Sequence, residues 1–145
     1  MIKLPPVEPR LADLVQAFTL LQQAKKPLVI IGKGCCMSET LLEDGAMGIR
    51  SFISKANLPF LPTPMGKGVV SDLDPRNASA ARSLVLREAD CILLLGARLN
   101  WILHFGLPPR FNRNVKIIQV EADAREFHTN RRSACTIHGD IGRVV

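Results

Sequence analysis

The sequence contains no tyrosine, a single tryptophan and only six phenylalanines, scattered along 145 residues. Single-stranded nucleic acid is gripped by aromatic side chains interleaved with basic ones, and no such stretch is present. There is no RNP1-like run, no zinc-finger spacing and no block of five consecutive basic residues. Nucleic acid is therefore not the expected partner, even though nineteen Lys/Arg against thirteen Asp/Glu give a net charge of +6. The densest basic excess, seven Lys/Arg against three acids between Arg98 and Arg132, suits a phosphorylated small molecule equally well. No apolar run approaches the roughly 18 residues that cross a bilayer. Met1-Ile-Lys-Leu-Pro-Pro also lacks the apolar core of a signal peptide. The expectation is a soluble domain without a membrane span, cytoplasmic unless another address applies.

Catalytic signatures are missing too. No GxSxG, HExxH or Cys/His pairing occurs, so no self-contained catalytic set is expected. The cysteines stand at 35, 36, 91 and 135, without a CxxC, and bridging adjacent cysteines is strained. Reduced thiols are expected, with Cys91 acting as a small hydrophobe at the head of an apolar run. His104, His128 and His138 share no metal-ligand spacing, so no metal site is expected.

What the sequence does contain is a globular balance, 47% hydrophobic and 22% charged, at a length suited to one domain. Pro5, Pro6 and Pro9 make residues 1–9 a linker-like lead-in to a domain over 10–145. Leu11, Leu14, Val15, Phe18 and Leu21 recur at threes and fours, predicting an amphipathic helix that ends before Pro27. Leu28–Ile31 is an unbroken run of the kind a strand buried on both faces requires. A second helix is predicted with a start at Ser38 or the Thr40…Glu43 capping box and a stripe through Leu42, Ala46, Ile49, Phe52, Ile53 and Ala56. Strands are predicted at Pro59–Thr63, Cys91–Ala97, Lys116–Ala122 and Ala134–His138, with a third helix over Asn77–Glu88 and a helical turn beginning after Gly139-Asp140. Strand alternating with helix implies a Rossmann-like α/β fold, a parallel sheet with helices on both faces. Ligands of such sheets bind off the carboxyl ends of the strands.

Four loops lie there. Gly32-Lys33-Gly34 offers backbone N–H groups and an ammonium to a phosphate, but as a lone GxG it reads equally as a tight strand-to-helix turn. Gly66-Lys67-Gly68 repeats the pattern after the next strand, so both loops either face one crevice or simply turn the chain. Arg98 follows the third strand, where a guanidinium suits bidentate phosphate or an ordinary surface ion pair. Glu121 and Asp123 close the fourth, where a carboxylate accepts from a ribose hydroxyl or stands solvated.

Leu58–Val70 (LPFLPTPMGKGVV) and Leu95–Pro109 (LGARLNWILHFGLPP), with Lys26–Gly34 (KPLVIIGKG) and Gly139-Asp140-Ile141, resemble one family. It is the 2-hydroxyacyl-CoA lyase and oxalyl-CoA decarboxylase branch of the thiamine diphosphate (ThDP) enzymes, and the likeness is to their central domain. The resemblance implies a three-domain parent, homo-oligomeric and peroxisomal, that holds ThDP and Mg2+ between its first and third domains. It implies cleavage of a 2-hydroxyacyl-CoA to formyl-CoA and an aldehyde, with oxalyl-CoA decarboxylation as the neighbouring reading. The central domain would bind ADP or the nucleotide of CoA through Lys33, Arg98, Glu121 and Ile141. Glu121 departs from the family's aspartate, keeping the carboxylate but lengthening its reach. The ThDP-binding domains are missing from this chain, as in a domain cut at its linkers or a truncated product, and the chain alone is expected to be catalytically inactive. A stand-alone nucleotide-binding module and a purely structural domain remain as alternatives. A peroxisomal address cannot be read from an end that finishes Arg143-Val-Val.

Overall fold

A strand flanked by parallel neighbours and covered on both faces must be apolar at every position, and Pro27–Ile31 (β1) and Cys91–Leu95 (β3) meet that demand. The computed structural model describes residues 6–37 and 46–145. With Phe60–Pro62 (β2), Lys116–Glu121 (β4) and Cys135–His138 (β5), these strands form one sheet in the order β2-β1-β3-β4-β5, every pair parallel. The α-helices are Leu11–Gln23 (α1), Gly34–Met37 (α2), Ala46–Ala56 (α3), Arg82–Glu88 (α4) and Ile141–Val144 (α5). The Rossmann-like α/β class expected from the sequence is the class observed.

Strand alternation divides the core into two layers. Val29, Ile31, Leu93, Leu95, Ile118 and Val120 point to one face, where Ala17 of α1, Ile49 and Ile53 of α3 and Ile141 of α5 cover them. Leu28, Ile30, Ile92, Leu94 and Ile117 point to the other, against Leu86 of α4 and Leu103 and Phe111 of the long β3–β4 connection. The faces are covered unequally, because that connection contains only a 3-10 segment over Trp101–Gly106.

Boundaries differ from expectation for local reasons. Helix α1 stops at Gln23, short of the proline, because Ala24 turns extended (ψ 137) and Asp90 accepts from the amides of Lys25 and Lys26 at 2.8 and 2.9 Å. The third helix begins at Arg82, later than expected. The Asn77 side chain accepts from the amide and hydroxyl of Ser79, and a 3-10 turn, Ser79–Ala81, precedes it. Strand β3 ends at Leu95 because Gly96 takes φ +56. The helix-start signals at Ser38, Thr40 and Glu43 lie outside the described residues.

Candidate functional site

In this strand order the loops leaving β1, β2, β3 and β4 meet along one sheet edge, and between them lies a cleft of about 370 Å3. Lys33 and Gly34 enter it from β1, Thr63, Pro64 and Met65 from β2, Ala97, Arg98 and Asn100 from β3, and Glu121 from the end of β4. Three residues singled out in the sequence, Lys33, Arg98 and Glu121, thus line one cavity although up to 88 positions apart (121 − 33).

The glycines have a packing reason. At Gly96 a Cβ would stand 2.5 Å from the Gly34 Cα and 2.6 Å from the Ile141 Cδ1, so the β1 and β3 loops cross with no room for a side chain. At Gly66 a Cβ would stand 2.0 Å from the Ile31 carbonyl oxygen. That second glycine loop turns the chain tightly onto β1, its Gly66 amide donating to Thr63 O at 2.9 Å. Lys67 lies outside the cleft lining and pairs with Asp72 at 3.5 Å, so the two glycine loops do not present both lysines to one crevice.

Ile141 stands apart from the other three. It is 3% exposed, with its Cδ1 against Gly34 and Gly96, and supports the crossing loops from beneath instead of lining the cleft. Lys33 is exposed and has no ion-pair partner among the described residues. Arg98 is also exposed, and its Nη2 reaches Glu126 Oε1 at 2.9 Å. Glu126 is itself placed by Gln119, a buried side chain of β4 whose Nε2 donates to the Glu126 carbonyl at 2.9 Å. Oε1 of Gln119 accepts from His128 N and Ser133 Oγ.

The carboxylates at the end of β4 part company electrostatically. Burial pushes Glu121 up from 4.5 to about 7; Glu126 and Asp123 add repulsion and Arg98 opposes it. Asp123 turns outward into a bidentate pair with Arg125, which holds its carboxyl down at about 2. Of the two acids, Glu121 is the one on the cavity wall.

Glu126, Asn100 and Thr63 went unnoticed in the sequence. Asn100 carried a signal, since an asparagine before an apolar run is a cap, and its Oδ1 accepts from Ile102 N at 3.1 Å. Glu126 carried none, because its role depends on reaching across space to Arg98. Among the described residues no group of three or more His, Cys, Asp or Glu is placed to hold a metal ion, and no helix is long and apolar enough to cross a membrane.

The family described as thiamine pyrophosphate enzyme, central domain, matches residues 14–145. The mouse 2-hydroxyacyl-CoA lyase 1 is 50% identical over 141 residues, which is 97% of this chain and 23% of that protein. The human 2-hydroxyacyl-CoA lyase 1 is 49% identical over 129 residues, 89% and 22% of the two. The Escherichia coli K12 oxalyl-CoA decarboxylase is 38% identical over 137 residues, 94% and 23%. A crystal structure of a putative thiamin diphosphate-dependent enzyme from Mycobacterium smegmatis superimposes with a TM-score of 0.76 at 15% identity, over 99% of this chain and 28% of that one. The chain therefore spans less than a quarter of the length of these curated relatives.

Proposed function

The chain belongs to the central-domain family of thiamine pyrophosphate enzymes, and on that premise we propose that it is the nucleotide-holding domain of a 2-hydroxyacyl-CoA lyase, binding ADP or the ADP portion of CoA. The observation that carries this reading is the convergence of Lys33, Arg98 and Glu121 from three strand ends on one cleft. A diphosphate requires cations on one side of such a cleft and a ribose hydroxyl requires a carboxylate on the other. Lys33 supplies a point charge. Arg98 supplies a planar fork once it exchanges Glu126 for phosphate oxygens, and Glu121 accepts from the ribose. Ile141 acts from beneath, holding the crossing of the Gly34 and Gly96 loops.

In the parent enzyme ThDP and Mg2+ supply the bond-breaking chemistry that converts a 2-hydroxyacyl-CoA to formyl-CoA and an aldehyde. On this reading the domain's share is to hold the nucleotide end of the substrate, and turnover requires the domains that bind the cofactor. A homo-oligomeric, peroxisomal parent belongs to the same reading. The identity of 50% to a 2-hydroxyacyl-CoA lyase against 38% to an oxalyl-CoA decarboxylase favours the lyase.

Calorimetric titration with ADP and then CoA tests the proposal. Saturable binding that Arg98→Ala weakens at least about tenfold, the value of a charge-assisted phosphate contact, is the expected result. Absence of saturable binding at millimolar nucleotide, or binding indifferent to Arg98→Ala, overturns it.

A further inference from the structure

A second, larger hollow of about 580 Å3 adjoins the nucleotide cleft, with Thr63, Pro64, Ile102 and Leu103 lining both as a shared wall. It opens on the less covered face of the sheet. Ile30 and Leu61, 0% and 3% exposed, form its floor, and Trp101, 72% exposed, stands at its rim. Its polar lining is one-sided, containing Lys67, Arg82 and His104 and, among the described residues, no carboxylate.

This positive charge has little local compensation. Arg82 donates through Nη2 to the Ile102 carbonyl at 2.6 Å, which aims the guanidinium along the wall, and no carboxylate pairs with it among the described residues. Among the described residues Lys67 has only the loose contact to Asp72. Burial first, then the nearby Arg110 and Arg82 charges, hold the His104 imidazole below its ordinary pKa.

The backbone at His104 is strained. His104 and Phe105 take φ 51 and φ 55, the left-handed region that side chains disfavour. The strain is held in place by amides of Leu103 and Phe105 donating to Asn100 O at 3.0 and 2.9 Å, and by Arg131 Nη1 donating to Gly106 O at 2.6 Å. Non-glycine residues fixed in this region concentrate at ligand clamps. Here the strained residue His104 lines the same hollow as the Trp101 indole.

We propose that this hollow is a second ligand site, separate from the nucleotide cleft, for an aryl-alkyl or branched aliphatic carboxylate. The apolar body lies between the Trp101 indole and the Ile30–Leu61 floor, and the carboxylate is received between Arg82 and His104. The volume falls within the range that encloses a small organic ligand, and an apolar lining with a few convergent polar groups is how such sites are built. A nucleotide fits this site poorly, because among the described residues no carboxylate on its wall accepts from ribose hydroxyls.

Trp101 is the single tryptophan of the chain, so its emission reports on this hollow directly. The unaltered chain is titrated with 4-phenylbutyrate and, in parallel, with the neutral 4-phenylbutyramide. A saturable change in Trp101 emission is expected for the carboxylate, at least about tenfold tighter than for the amide, the difference a charge-assisted contact makes. Arg82→Gln is expected to remove that preference while leaving the weak amide response. Arg98→Ala and saturating ADP are expected to leave it intact, which separates this site's failure from that of the nucleotide reading. No saturable change up to about 10 mM carboxylate, well above the affinity of a formed site, overturns the proposal. So does equal binding of acid and amide, the behaviour of a merely apolar surface. Should Arg82→Gln fail to fold, the comparison of acid and amide on the unaltered chain decides alone.

Discussion

Replacing Glu121 by glutamine removes a charge from the end of β4 while keeping the side chain's shape, and the consequence depends on pH in a defined direction. The carboxyl titrates at about 7 in the folded chain against 4.5 ordinarily, chiefly because it is partly buried. Between those values the folded chain holds a proton that the unfolded chain has released. This group's contribution to stability is therefore fully present below about pH 4.5 and is lost as pH rises through 7. Taken at face value the rise corresponds to about 3 kcal/mol. Solvent at the cleft mouth screens the charge, so about 1–2 kcal/mol is the working figure. Glu121→Gln is expected to melt within about 1 °C of the unaltered chain at pH 5 and about 3–6 °C above it at pH 8, for a domain of this size. Thermal melts followed by circular dichroism across that range provide the comparison. An equal difference at both pH values, or a less stable glutamine variant at pH 8, refutes the reasoning, because the carboxylate would then be stabilised where it stands.

Three further outcomes rest on other contacts. Gly66→Ala drives a Cβ to 2.0 Å from the backbone oxygen of Ile31. It is expected to cost about 3 kcal/mol or more, seen as a lower urea midpoint, and an unchanged midpoint contradicts it. Gln119→Leu leaves Ser133 Oγ, His128 N and the Glu126 carbonyl without their shared partner. A loss of about 2–3 kcal/mol is expected, and a melting point within about 2 °C of the unaltered chain would show that the cluster has other partners. Iodoacetamide on the native chain is expected to modify Cys36, the exposed thiol, first. Burial pushes the Cys35 and Cys91 thiols up to about 12 and about 11 and raises Cys135 as well. Mass spectrometry finding Cys35 or Cys135 alkylated as fast as Cys36 contradicts that order.

The strands were readable because burial on both faces leaves no room for a polar side chain, and unbroken runs such as Leu28–Ile31 and Cys91–Leu95 are rare outside buried parallel strands. Helix α1 was readable for the complementary reason, a periodic stripe facing one layer, although its outward residues Leu11, Val15 and Phe18 belong to the same run and remain exposed. The connection from β3 to β4 was not readable as structure. Its Trp101–Gly106 segment has apolar residues at helical spacing, but His104 and Phe105 adopt a left-handed backbone held by Asn100 and Arg131, and no local propensity foretells that. The glycine loops were legible as close approaches and ambiguous in purpose, since crossing backbones and phosphate cradles require the same missing Cβ.

Arg98 shows how the two readings open from sequence become one in space. A surface ion pair and a phosphate contact looked like rivals at this position, and the structure supplies the ion pair, to Glu126 at 2.9 Å. An exposed pair of that kind is worth at most about 1 kcal/mol, whereas a guanidinium on phosphate makes shorter, charge-assisted contacts roughly twice as strong as neutral ones. Glu126 is thus a weak holder that an anion in the cleft displaces at small cost. Its backbone is fixed by Gln119, whose amide is buried beneath the sheet end, so the guanidinium is kept over the cleft without being locked to its partner. On the proposed reading the ion pair is the resting position of the phosphate ligand. Glu126→Gln should then leave nucleotide affinity unchanged or slightly improved, because it releases Arg98 and withdraws a carboxylate that repels both Glu121 and the incoming phosphates. A loss of affinity comparable to that of Arg98→Ala would instead make Glu126 essential to the arginine's placement, and would end the view that the pair is easily exchanged.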